Sequence, residues 1–106
     1  MTISERYRDI AQQLERQADH FYDRLPEEAT GPLRFIDRAA EEMMELVEAV
    51  GEIPRNQLDA KLSPVLLKVH GDLDRARVQL EQDDHAEVAA AIWELEQLIY
   101  RLLNDL

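Results

Sequence analysis

Four stretches of this chain repeat apolar residues at steps of three or four, and this periodicity constrains the fold more than any other feature of the sequence. Side chains with that spacing lie on one side of an α-helix, because the helix has about 3.6 residues per turn. Four helices with one apolar side each can bury those sides against one another. The apolar positions of the four stretches are, in turn, Ile3, Tyr7, Ile10, Leu14, Ala18, Phe21 and Leu25; Leu33, Ile36, Ala40, Met43, Val47 and Val50; Leu58, Leu62, Val65, Val69, Leu73, Ala76 and Leu80; and Val88, Ile92, Leu95, Ile99, Leu102 and Leu106.

Capping and helix-breaking residues indicate where these helices begin and end. Thr2 and Glu5 have the spacing of a capping box before the first helix, and Asp84 and Glu87 have the same spacing before the fourth. Pro26 ends the first helix, because the residue before a proline is driven out of helical geometry. The sequence therefore predicts helices over residues 3–25, 32–50, 55–82 and 84–105.

Two details within this pattern bear on the helix ends and on the topology. Gly51 is predicted to close the second helix in the left-handed conformation, with Pro54 preventing its continuation.

Pro64 lies inside the third apolar stretch, which runs unbroken from Leu58 to Leu80. We interpret that stretch as one long helix kinked near Pro64, with a short leading helix followed by a main helix as the alternative. Since short connections favour antiparallel neighbours, the expected fold is an all-α, antiparallel up-down-up-down four-helix bundle.

The length and the absence of cysteine limit the class of protein further. A chain of 106 residues fits one domain, spanning residues 1–106. Without cysteine there is no disulfide framework and no thiolate metal site. The polar residues 2–8 are not followed by the apolar core of a signal peptide, and no apolar run approaches the length of a membrane span. We therefore expect a cytoplasmic protein with no membrane partner.

The charge of the chain is strongly negative and unevenly distributed. The formal net charge of −11 argues against nucleic acid as a partner, because binding to phosphates needs a basic face. Residues 37–54 contain six acidic and one basic side chain, and residues 78–100 contain six acidic and none basic. These two segments carry the whole excess of negative charge.

An acidic stripe in the second predicted helix is the first candidate for function. Like charges at this spacing repel, so the stripe calls for a compensating cation. One interpretation is a solvated face that arginines of a neighbouring helix partly neutralise, and another is a docking face for a basic protein partner. The arginines that could neutralise it are Arg6, Arg16, Arg75 and Arg77. The stripe consists of Asp37, Glu41, Glu45, Glu48 and Glu52.

A third interpretation of the stripe is a magnesium site. Glu41-Glu42-x-x-Glu45 resembles the EExxE helix of the MazG-type, all-α nucleoside triphosphate pyrophosphohydrolases. The resemblance covers the second helix alone and implies that these carboxylates hold magnesium, which in turn holds the phosphates of the substrate. The family also has an ExxD pair on a following helix, and the only close match here is Glu81-x-x-Asp84, at the turn before the fourth helix. A magnesium-dependent nucleotide hydrolase is therefore the alternative function.

The outer side of the fourth predicted helix is the second candidate for function. Aromatic side chains among small ones on an outer helix side are typical of an interface, because monomers seldom expose such a patch. We interpret it as a contact with a second copy or with another protein. The alternative is that an arginine side chain or the amino-terminal residues cover the tryptophan. The residues of this predicted surface are Trp93, Tyr100, Ala86, Ala89, Glu96 and Gln97.

No further catalytic motif is found in the sequence. None of the three histidines follows a glutamate by three residues, as the carboxylate-bridged di-iron bundles require, and no glycine-rich loop could hold a phosphate. The sequence therefore favours a small acidic protein–protein interaction module, such as an adaptor, a chaperone-like protein or an inhibitor, with no cofactor. We expect it to form a homodimer through the outer side of the fourth helix. A purely structural subunit of a larger assembly is a further alternative.

Overall fold

Four α-helices make up most of the chain in the computed structural model, which describes all residues from Met1 to Leu106. Two short 3₁₀ turns, Val50–Glu52 and Arg55–Gln57, lie between the second and third helices, and there is no strand. The molecule measures 43 × 22 × 20 Å along its principal axes. The helices are α1 (Ile3–Arg24), α2 (Thr30–Met44), α3 (Leu58–Gln82) and α4 (Ala86–Asn104).

The helices pack around one apolar core. α1 and α3 each contact both α2 and α4, whereas α1 does not approach α3 and α2 does not approach α4. This is the packing of a helical bundle in which each helix lies between two neighbours. The buried apolar residues form one cluster, and none of the apolar positions predicted from the periodicity is exposed. The predicted all-α fold with four helices is confirmed. None of these helices combines the length and the hydropathy that crossing a membrane requires.

The capping prediction was right for α1 and wrong for α4. The backbone N–H of Glu5 donates to Oγ1 of Thr2 at 3.1 Å, and the backbone N–H of Thr2 donates back to Glu5 at 3.5 Å. Asp84, in contrast, has a φ of 64° and caps no helix with its side chain. It closes α3 instead: the N–H of His85 donates to the carbonyl of Leu80 at 2.8 Å, as in a Schellman motif. Because Asp84 is used in this way, α4 begins at Ala86 rather than at residue 84.

The predicted extent of α2, to residue 50, was also wrong. The α-helix ends at Met44, and the chain continues through turns into the 3₁₀ turn Val50–Glu52. Two side chains of α1 bind the carbonyls at this end. The hydroxyl of Tyr7 donates to the carbonyl of Met43 at 2.8 Å, and Nε of Arg8 donates to the carbonyl of Val47 at 2.8 Å. The bond from Arg8 satisfies a carbonyl that a continuing helix would otherwise have paired, whereas the carbonyl of Met43 also accepts from the N–H of Leu46.

Gly51 does not adopt the predicted left-handed conformation, since no glycine of the chain has a positive φ. Its role is steric. A Cβ atom at this position would lie 3.0 Å from Nη2 of Arg8, so the glycine leaves room for the arginine that binds the end of α2.

Replacing Tyr7 by phenylalanine tests this arrangement. Tyr7 is fully buried, and its hydroxyl bond to Met43 is lost in the variant. We expect the free energy of unfolding, measured by urea denaturation, to fall by about 1 kcal/mol, the usual net contribution of one buried hydrogen bond. An unchanged unfolding midpoint would show that the contact does not hold the end of α2 in place.

The third helix is continuous through Pro64, as predicted. α3 runs without interruption over Leu58–Gln82, and residues 55–57 form the preceding 3₁₀ turn, so the α-helix begins three residues later than expected. The kink near Pro64 stays a prediction.

Candidate functional site

A fully buried glutamate lies at the seam between α3 and α4. Glu96 of α4 has no exposed surface. Its Oε2 atom accepts a hydrogen bond from Nε of Arg77 at 3.2 Å, whereas its Oε1 atom has no hydrogen-bond partner. Nε2 of His70 is 3.7 Å from that Oε1 atom, which is beyond hydrogen-bonding distance. A buried, half-satisfied carboxyl group is costly, so it marks a site that needs a functional explanation.

Arg77 connects this glutamate to two further carboxylates and to an aromatic ring. Its Nη2 atom lies 2.6 Å from Oδ1 of Asp74, and its Nη1 atom lies 2.8 Å from Oε1 of Glu81. The guanidinium carbon is 5.2 Å from the centroid of the Trp93 ring, within the range of a cation–π contact. One arginine therefore compensates three acidic side chains. We call Arg77, Asp74, Glu81, Glu96 and His70 the Glu96 cluster.

Within the Glu96 cluster, the pKa of Glu96 is raised and the pKa of Asp74 is lowered. Burial raises the pKa of Glu96 to about 7, and a hydrogen bond from the protonated carboxyl group to Asp74 acts in the same direction, while Arg77 opposes both. The hydrogen bond from Arg77 lowers the pKa of Asp74. Burial therefore favours the protonated form of Glu96, whereas Arg77 favours the charged form of Asp74.

Exposed apolar side chains lie on both of the helices that carry the Glu96 cluster. Trp93 and Tyr100 on α4 are 49% and 54% exposed, and Leu67 and Val78 on α3 are 61% and 39% exposed. The contact of Trp93 with Arg77 shows that this side of α4 faces α3. Residues 67, 71, 74 and 78 follow at steps of three or four, so they share one side of α3. We call the surface formed by Leu67, Gly71, Val78, Trp93 and Tyr100 the α3–α4 face.

Only some of the residues predicted for the outer side of the fourth helix are exposed in the structure. Trp93, Tyr100 and Ala86 are exposed, and Gln97 is half-buried. Ala89 and Glu96 are buried, at 2% and 0% exposure, so their assignment to the outer surface was wrong. Both residues border the core side of α4, and α3 packs over them. Leu67 and Val78 were not predicted as part of this surface, because a single exposed apolar residue on a helix is ordinary.

The predicted acidic stripe is not a continuous flank of one helix. α2 ends at Met44, so Glu45 follows its last residue, Glu48 lies in a turn and Glu52 lies in the 3₁₀ turn. The two remaining members are on α2: Asp37 accepts a hydrogen bond from the hydroxyl of Tyr22, and Glu41 is exposed.

The arginines offered as compensation for the stripe pair elsewhere. Arg6 binds Asp105, Arg75 binds Asp72, and Arg77 belongs to the Glu96 cluster. Arg16 forms no ion pair. Four carboxylates of the stripe are therefore exposed without an ion pair within the chain: Glu41, Glu45, Glu48 and Glu52.

The carboxylates proposed for magnesium are not gathered into a metal-binding group. Glu42 forms an ion pair with Lys68 at 2.6 Å, whereas Glu41 and Glu45 form no ion pair. No three histidine, aspartate or glutamate side chains are placed to hold a metal ion together. Of the possible second motif, Glu81 binds Arg77. Magnesium binding at Glu41, Glu42 and Glu45 stays a prediction that no contact in the structure favours.

A second buried carboxylate, which the sequence did not reveal, joins α2 to α3. Asp72 is 1% exposed, and its oxygens accept hydrogen bonds from Arg38 at 3.2 and 3.3 Å and from Arg75 at 3.2 Å. Both guanidinium groups lie over the ring of Phe35. Unlike Glu96, this carboxylate is fully satisfied, so it is a structural link between the two helices.

No protein-family model, curated protein or solved structure matches this chain. The candidate site is therefore defined by two physical features: an exposed apolar face, and a buried carboxyl group with one unpaired oxygen, whose burial raises its pKa.

Proposed function

We propose that this protein is a protein–protein interaction module that binds a second copy of itself through the α3–α4 face. The observation that carries the proposal is the grouping of Trp93, Tyr100, Leu67 and Val78 on adjoining helix sides, all exposed. Exposed apolar patches of a few hundred Å² are often functional, and tryptophan and tyrosine are among the residues most enriched in interfaces.

The bundle supports this proposal by presenting the face as a rigid surface. We infer that neighbouring helices run antiparallel, because contacts join the start of one helix to the end of the next. In such a bundle α3 and α4 lie side by side along their length, so that the apolar side chains of both contribute to one surface. The contacts are Tyr7–Met43 between α1 and α2, Arg6–Asp105 between α1 and α4, and Arg38–Asp72 and Lys68–Glu42 between α2 and α3.

The size of the face fits a dimer. A typical stable interface buries roughly 800 Å² on each partner. Half-exposed Trp93 and Tyr100 each offer about 100 Å², and Leu67 and Val78 bring the apolar total to roughly 350–400 Å². That is about half of the required area, close to the apolar fraction of ordinary interfaces. A two-fold axis lets one patch serve both partners.

Gly71 adds a steric argument. It lies in the middle of α3, where glycine costs a helix about 1 kcal/mol relative to alanine. A Cβ atom at this position would meet no atom of the chain within 4 Å, so packing within the molecule does not require the glycine. The open space between Leu67 and Val78 allows another helix to approach the backbone closely.

Exposed carboxylates in the acidic segment, residues 37–54, support a second contact, with a basic protein. Glu41, Glu45, Glu48 and Glu52 form no ion pair within the chain, although the segment carries a net charge of −5. Association with a basic partner at this segment should weaken steeply as salt is added, because exposed charges are screened over about 8–10 Å.

Replacing Trp93 by glutamate tests the dimer. We expect sedimentation equilibrium to give a dimer for the wild-type chain and a dissociation constant at least about 30-fold weaker for Trp93→Glu, because a central aromatic anchor contributes more than about 2 kcal/mol. The helical content, measured by circular dichroism, should stay the same, since Trp93 is half exposed.

Met44→Glu is the matched control. Met44 is 38% exposed at the end of α2, which makes no contact with α4, and the substitution changes the charge equally. It should leave the dimer intact. A wild-type chain that is monomeric at high concentration, or a Trp93→Glu variant that dimerises as well as the control, would rule the proposal out.

A further inference from the structure

We infer that the second copy binds the form of this chain in which Glu96 is protonated, so that dimer formation takes up protons. The inference rests on the proposed self-association and names what regulates it.

The first argument is the surroundings of Glu96 before a second copy binds. Its Oε1 atom has no hydrogen-bond partner, and Nε2 of His70 lies 3.7 Å from it. Water still reaches the edge of the cluster, because the side chains of His70 and Asp74 are 33% and 43% exposed. A copy packed over Trp93 and Tyr100 removes that water. The charged form of Glu96 then becomes costlier, while the neutral form is little affected.

The second argument is charge repulsion across the interface. The charged side chains around Glu96 carry a net charge of −1, from Asp74, Glu81 and Arg77. An ionised Glu96 changes the net charge of the cluster to −2 in each copy. A two-fold interface would place two such clusters opposite each other. Since the whole chain already carries −11, protonation of Glu96 removes the repulsion where the two copies are closest.

The charged groups that face Glu96 all come from α3. They are His70, Asp74 and Arg77, with Glu81 held through Arg77. α2 makes no contact with α4. The ion pair between α1 and α4 is at the far end of α4, where Arg6 binds Asp105.

His70 is the other titratable side chain beside Oε1 of Glu96, with its Nε2 atom 3.7 Å away. The geometry favours Glu96 as the proton holder, since it is fully buried and lies next to Asp74, whereas His70 is partly exposed. Replacing each residue separately distinguishes the two.

The experiment measures the dimer dissociation constant at about pH 6 and about pH 8.5, at constant ionic strength, for the wild type, Glu96→Gln and His70→Gln. We expect the wild-type constant to rise by at least about tenfold toward the higher pH, because association that takes up protons weakens as protons are removed. Glu96→Gln should remain a dimer with nearly equal constants at both pH values, and His70→Gln should behave like the wild type.

Proton uptake can also be measured on the wild type alone, which keeps the test valid if a variant does not fold. Dilution calorimetry in two buffers of different ionisation enthalpy should show up to one proton taken up per chain on dimerisation near pH 8. No uptake would overturn the inference.

The remaining outcomes separate this inference from the proposed function. A wild-type dimer with a pH-independent constant would overturn the inference and leave the proposed function standing. A wild-type monomer at both pH values would overturn both. Association that tightens as the pH rises, or loss of the pH dependence in His70→Gln alone, would overturn the assignment of the proton to Glu96.

Discussion

Replacement of Arg77 by methionine is expected to lower the free energy of unfolding by about 3 kcal/mol at pH 8. Arg77 is the only cation within reach of Asp74 and Glu81 and the only hydrogen-bond donor to buried Glu96. Removing one partner of a buried charge is costly, because the remaining charge is left without compensation. Methionine keeps an apolar stem against Trp93, so the loss reports the charge rather than the packing.

The decrease in the free energy of unfolding caused by Arg77→Met should be smaller at pH 5, because Glu96 is then protonated and needs no cation. Urea denaturation at concentrations where the chain is monomeric measures both values. Arg75→Met is the matched control: Arg75 also binds a buried carboxylate, but it is 64% exposed, and Arg38 binds the same Asp72. We expect it to cost less than about 1 kcal/mol. Equal losses for the two variants would show that the Glu96 cluster does not depend on Arg77.

The helices could be predicted from the sequence because the information that defines them is local. The apolar residues of α1, from Tyr7 to Phe21, repeat at helical spacing and are buried as expected. The cap of Thr2 and Glu5 involves residues three positions apart, so it too is visible in the sequence.

The wrongly predicted end of α2 depends on contacts between distant residues, and the wrongly predicted start of α4 on a local choice between two roles. α2 ends where Tyr7 and Arg8 bind its carbonyls, from positions 36 and 39 residues earlier in the chain. Asp84 fits two local roles equally well, as an N-cap or as a left-handed residue after a helix. The bond from the following residue to Leu80 shows that the second role applies.

The candidate site could be predicted only in part, because the exposed side of α4 is visible in the local sequence whereas the burial of Glu96 is not. Trp93 and Tyr100 are seven residues apart on one helix, so their common exposed side could be expected. Glu96 lies next to the core side of α4, where a carboxylate is ordinarily turned to water. Its burial depends on Arg77, 19 residues earlier on another helix, and no periodicity within α4 indicates that partner.

Replacement of Glu96 by glutamine is expected to raise the free energy of unfolding at pH 8 by about 3 kcal/mol. The pKa of this carboxyl group is about 7 in the folded chain and near its ordinary value of 4.5 when unfolded. Between these values the folded state binds more protons than the unfolded state. The stability that the protonated group contributes is therefore complete below about pH 4.5 and is lost as the pH rises through 7. Glutamine keeps the shape of the protonated form at every pH.

The measurement is urea denaturation of the monomeric chain from about pH 5 to pH 8. The difference between Glu96→Gln and the wild type should be small at the lower pH and grow steadily toward the higher one. Glu94→Gln, which alters an exposed carboxylate on the same helix, should show no such growth. If Glu96→Gln were less stable than the wild type at pH 8, Glu96 would contribute to the fold as a charged partner of Arg77. A second copy of the chain would then have no protonated form to select.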